Sequence, residues 1–172
     1  KGVYFTNSGW NLNGTNTLRV GASGVGAAAS AGTNTINTKV SSSTGSTTSW
    51  NIQAGSTVVF TNSLNLTRTS NMCTIKIGDG TMRIAGSVAN DANVGAVTFG
   101  WEIRAGTLEL ARTGNVALTA KVGITGTGVV RVFESQQQFL STQAVWIGDS
   151  GLLDLNGYSQ TLQSLRLAAQ IN

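Results

Sequence analysis

The chain has 172 residues, 40 % hydrophobic and only 10 % charged, which is enough apolar material for one domain with a real core and too much for a disordered tract. Threonine, serine, asparagine and glycine together supply 77 of the residues, a mixture that favours short strands and turns and excludes long helices. The net charge of +4 is scattered from Lys1 to Arg166 with no basic run, so the clustered cations of a nucleic-acid surface are missing.

Taken in chain order, the sequence repeats. A glycine precedes an apolar strand at Gly9, Gly32, Gly55, Gly80, Gly106, Gly128 and Gly151, with successive spacings of 23, 23, 25, 26, 22 and 23. A period near 24 with small insertions predicts a solenoid, because loops vary in length while coils do not. The first two coils are the least regular. Gly9 leads into Trp10-Asn-Leu12, Gly14-Thr-Asn-Thr leads to Leu18-Arg-Val20, and Val25 to Gly32 is mostly alanine and glycine. Ser41 to Ser49 reads as a loop excursion, since the pattern resumes in phase at Trp50.

From Trp50 onward each coil carries triplets with apolar ends and a mostly polar middle, the period-2 pattern of a strand with one buried face. Before the glycines stand Trp50-Asn-Ile52, Ile75-Lys-Ile77, Trp101-Glu-Ile103, Val122-Gly-Ile124 and Val145-Trp-Ile147; after them stand Met82-Arg-Ile84, Leu108-Glu-Leu110, Val130-Arg-Val132 and Leu153-Asp-Leu155. Leu64-Asn-Leu66, Val116-Ala-Leu118 and Leu162 to Leu167 are candidates for a third strand per coil. Two or three short strands in about 24 residues is the size of one parallel β-helix turn. The expected fold is therefore all-β: a single-stranded parallel β-helix of about seven coils, one domain over residues 1–172, roughly 35 Å long at about 4.8 Å per coil. It reads as a segment of a longer chain or one subunit of an assembly.

The middle positions of the triplets are expected to face outward, where residues of successive coils become neighbours. Arg83, Glu109, Arg131 and Asp154 alternate in sign, and Lys76 is followed one coil later by Glu102, so both series predict inter-coil charge ladders. Proline is absent, as interior strands paired on both edges require. Trp50 and Trp101 occupy the same place in their coils and, in phase with Ile52 and Ile103, are expected in the core. Trp146 is out of phase with Val145 and Ile147, which makes it the one candidate surface-contact residue, of the kind that stacks on a sugar ring. The single cysteine, Cys73, forms no intrachain disulfide and reads as a small core residue.

Catalysis finds little support in the residue types. With no histidine, imidazole bases, histidine-ligated metals and Ser-His triads are all missing, and one cysteine cannot build a thiolate zinc site. The seven acids are Asp79, Asp91, Glu102, Glu109, Glu134, Asp149 and Asp154, and three of them belong to the ladders. Asp79 in Ile77-Gly-Asp-Gly80 and Asp149 in Ile147-Gly-Asp-Ser-Gly151 read as turn residues, since single carboxylates three coils apart cannot supply the six to eight oxygens of a calcium site. No catalytic, cofactor-binding or metal-binding residue is assigned, and no apolar run approaches the length of a membrane span.

The stretch Gly151-Leu-Leu-Asp-Leu-Asn-Gly-Tyr-Ser-Gln-Thr-Leu-Gln-Ser-Leu165 resembles the autotransporter-associated β-strand repeat of bacterial passenger domains. Arg104-Ala-Gly-Thr-Leu-Glu-Leu110 and Ile124-Thr-Gly-Thr-Gly-Val-Val-Arg-Val132 resemble the glycine-threonine strand of the same repeat. The match covers roughly the last 70 residues well and the first 100 in style. The resemblance implies a right-handed β-helix exported to the bacterial surface, serving adhesion, aggregation or surface structure. Neither Lys1 to Phe5 nor Ser164 to Asn172 reads as a polar cap, so the expected partners are further copies stacked on the solenoid ends, or flanking repeats, with a surface glycan as a further candidate. A non-catalytic extracellular rod able to assemble into a filament or matrix is the first functional expectation. A carbohydrate-binding or polysaccharide-cleaving β-helix is the second.

Overall fold

The computed structural model describes residues 2–42, 47–65, 73–90 and 100–168. Among these, every regular element is a strand and the strands pair in parallel. The chain winds as a parallel β-solenoid of about six turns with a period near 24. One face is a seven-stranded sheet of Asn11–Asn13, Gly32–Asn37, Ser56–Phe60, Thr81–Gly86, Thr107–Arg112, Val129–Val132 and Leu152–Asp154. The seven coils expected from the glycine spacing correspond to these seven rungs, which six parallel pairings join.

A second face stacks Thr48–Asn51, Thr74–Ile77, Trp101–Ile103, Val122–Ile124, Ala144–Gly148 and Ser164–Ala168. It is prolonged toward the start of the rod by Val3–Phe5 and Val25–Ala27, through a parallel bridge between Ala27 and Ile52. A third, narrower face holds Leu18–Val20, Val40–Ser42 and Leu64–Asn65, and in the same chain slot of later turns a single bridge joins Leu118 to Phe139.

The period-2 alternation builds an interior of stacked columns. On the seven-stranded face Leu12, Ile36, Phe60, Ile84, Leu110 and Val132 succeed one another in register, beside Asn34, Val58, Met82, Leu108, Val130 and Leu153. On the facing sheet the columns are Thr48, Thr74, Trp101, Val122, Val145 and Leu165, and Trp50, Lys76, Ile103, Ile124, Ile147 and Leu167. Trp50 meets Phe60 across the interior at 5.0 Å between ring centroids, and Trp101 edge-on at 5.9 Å.

Several local expectations are corrected by this register. Ser56, not Gly55, aligns with Gly32 and Gly80, and Ser8, not Gly9, precedes the first rung in the same phase. Both tryptophans are in the core, but Trp50 lies opposite Lys76 whereas Trp101 lies opposite Thr74, so their places differ by two residues. The alanine-glycine stretch opens with a buried strand, Val25–Ala27, where a side chain on Gly24 or Gly26 would intrude on Trp50 or Tyr4. Small residues there make room for large neighbours. Much of the stretch expected as a loop is strand as well, since Val40–Ser42 and Thr48–Asn51 pair with their neighbours; residues 43–46 and Leu66 lie outside the described residues. Leu165 and Leu167 belong to the second face rather than to a third strand. Cys73 is half-buried beside Glu102, at 3.9 Å from its carboxylate, and is not a core residue.

Candidate functional site

The outward column of the seven-stranded face brings Arg83, Glu109, Arg131 and Asp154 into line. Arg83 Nε donates to Glu109 at 2.5 Å and Arg131 Nε to Asp154 at 2.7 Å. Arg83 also lies over the Phe133 ring, 4.7 Å from its centroid. The hydrogen bond from Arg131, helped by the backbone N–H of Asn156, holds the Asp154 carboxyl below the usual range. These are partly exposed pairs between adjacent rungs, each acid already matched to a base. That geometry aligns coils.

The second expected ladder does not exist. Lys76 faces Ile103, and it is Ile75 that stands opposite Glu102. The strand Thr74–Ile77 is turned by one residue relative to its apolar pattern, so Lys76 is fully buried while Ile75 and Ile77 are only half-buried. Lys76 Nζ donates to the carbonyls of Gly78 at 2.6 Å and Ala105 at 2.9 Å. These peptide oxygens replace the carboxylate that a buried ammonium usually requires. Burial pushes the Lys76 pKa down to about 8, against a smaller upward pull from Asp79. Glu102 instead takes a bidentate contact from Arg104 of its own rung, at 2.8 and 2.9 Å, which raises the Arg104 pKa. Arg104 lies two residues along the same outward face, a signal present in the sequence that the inter-coil pattern obscured.

A second buried cation, Arg112, was not marked by any pattern, because it ends the triplet run of Thr107–Arg112 at an apolar position. Its guanidinium reaches the carbonyls of Thr61, Asn62 and Ala85 and the side chain of Asn90, and burial lowers its pKa to about 10. Gln138, also fully buried, accepts from Arg112 N at 3.0 Å and donates to Arg112 O at 2.9 Å, so a side-chain amide completes the ladder where no strand runs. Asp149 takes a left-handed turn with φ +54° and accepts weakly from Gly126 N at 3.4 Å, a turn role. Among the described residues no three of His, Cys, Asp and Glu come together as metal ligands.

Trp146 lies on the outward side of Ala144–Gly148, half-buried, with the Arg166 guanidinium over its ring at 4.9 Å. It borders a shallow cleft of about 310 Å³ whose other walls are Lys121, Ala144, Gln163, Ser164 and Arg166. Sequence reasoning singled out Trp146 alone, since the five other residues come from three different turns.

No family model, curated protein or solved structure matches this chain.

Proposed function

We propose that this protein is a non-catalytic structural and adhesive β-solenoid of the bacterial cell surface, a rod that self-associates end to end. The observation that carries this reading is where the apolar surface lies. Among the described residues the exposed large hydrophobics are Tyr4, Trp10, Val88, Leu152, Leu155, Leu165 and Leu167, and all but Val88 belong to the first or last turns. Leu165 and Leu167 continue the interior columns of Val145 and Ile147, yet they are 53 % and 77 % exposed because no described rung covers them. An interior column left open at Leu165 and Leu167, beside a strand edge that no described residue pairs, is completed by one more rung. A second copy whose first turn presents Tyr4 and Trp10 supplies apolar surface and strand edge together. A head-to-tail contact of this kind generates a filament where its rotation does not close.

Sedimentation velocity over a concentration series tests the reading. The chain is expected to form species larger than the monomer as concentration rises, and the double variant Leu165→Lys, Leu167→Lys is expected to remain monomeric with its circular dichroism unchanged. A wild-type chain that stays monomeric at millimolar concentration defeats the proposal.

A further inference from the structure

Gly123, Trp146 and Arg166 stand in successive rungs of one outward column. Two residues earlier in the same three rungs, and lining the same cleft, are Lys121, Ala144 and Ser164. These six outward positions form a grid three rungs deep and two residues wide. Side chains would normally fill it evenly. Here Gly123 contributes none and Ala144 a single methyl, and both are buried below the level of their neighbours. The surface sinks into the cleft already described, between a tryptophan and two cations.

We propose that this cleft is a binding site for an acidic saccharide, a sugar ring carrying a carboxylate or sulfate. Four features select that chemistry. The Trp146 indole gives a flat apolar platform of the size of a pyranose ring. Lys121 and Arg166 flank it and no acidic residue lines the cleft, while Glu102, one rung beyond Gly123 in the same column, is already paired with Arg104. Arg166 is held against the indole, so its guanidinium is placed in advance for a bidentate contact with a carboxylate or sulfate, at a reduced ordering cost. Gln163 and Ser164 offer an amide and a hydroxyl to neutral ring hydroxyls. The volume of about 310 Å³ lies at the small end of ligand sites, fitting one or two sugar units and not an extended chain. A polynucleotide is the less suited ligand, because the other cations of the chain do not continue the patch along a track. The site uses outward side chains and not the strand edge, so this inference stands apart from end-to-end assembly.

Isothermal titration of the full chain with tetragalacturonate at low salt tests it, with maltotetraose and oligothymidylate as comparison probes. Tetragalacturonate is expected to bind with a dissociation constant of about 1 mM or tighter and to weaken as salt rises. Trp146→Ala is expected to weaken it by about tenfold or more, and Lys121→Gln with Arg166→Gln by a similar factor. All three side chains are at least partly exposed, so melting temperatures close to wild type are expected. Absence of tetragalacturonate binding at millimolar concentration overturns the proposal. So does binding that Trp146→Ala leaves intact, equal binding of maltotetraose, or equal binding of oligothymidylate with the same dependence on Trp146. Should one variant fail to fold, the other still decides.

Discussion

Lys76 carries an ammonium group into a column otherwise filled by Trp50, Ile103, Ile124 and Ile147. Its phase is set by neighbours more than by its own character. Thr74 stacks in register on Thr48, hydroxyl to hydroxyl at 3.3 Å, and that contact turns Lys76 inward and Ile75 outward. Desolvation lowers the folded pKa to about 8 from 10.5, so between those values the unfolded chain binds more protons than the folded one. The penalty of burying the charge is full below about pH 8 and is relieved as pH rises toward 10.5. Stability is therefore expected to climb across this window by roughly 3 kcal/mol, and Lys76→Met is expected to remove that climb. Urea unfolding of both proteins at pH 7.5 and 10.5 measures the difference. An identical pH response in the variant would place the titration elsewhere.

Turns between rungs depend on glycine for two separable reasons. Gly106 has φ +62°, and a Cβ there would collide with the carbonyl oxygens of Gly80 and Gly78 and crowd Lys76 Nζ, because consecutive corners stack directly. Gly114 has φ +80° but open space around it. Gly114→Ala carries only the left-handed backbone cost, about 1 kcal/mol, while Gly106→Ala adds the collision and is expected to lose about 2–4 kcal/mol. Thermal or chemical unfolding of the two variants compares them; equal losses would show that backbone conformation alone governs the corners. Where the third face lacks a strand, Gln136, Gln137, Gln138 and Gln160 bond backbone groups of adjacent turns, such as Gln160 Oε1 accepting from Gln138 N at 2.7 Å. The glutamine run gives no hydrophobic period, so the motif is invisible to a search for alternating strands.

Among the described residues the strands pair between adjacent turns, so each interior rung is supported by the two beside it and the first and last described rungs by a single described neighbour. The end-to-end reading extends that same rule beyond one chain. Strands lie across the rod axis, so oriented assemblies are expected to give a meridional fibre reflection near 4.8 Å. Fibres whose reflection at that spacing lies on the equator would mean side-by-side packing of crosswise rods and would refute axial stacking.

The sequence by itself determined the solenoid, its period and its interior columns. These follow from apolar alternation repeated at a constant interval, and Met82-Arg-Ile84, Leu108-Glu-Leu110 and Val130-Arg-Val132 state that pattern without ambiguity. It also put Arg83 with Glu109 and Arg131 with Asp154, because outward residues of equal phase must become neighbours. Only the tertiary structure decided where the phase slips by one residue, as at Gly55 and Lys76, because a strand with polar and apolar residues on both faces takes its orientation from the rungs it pairs with. The same holds for the cleft at Trp146. Its floor is low because Gly123 has no side chain and Ala144 only a methyl, and a depression becomes visible only once three turns are stacked.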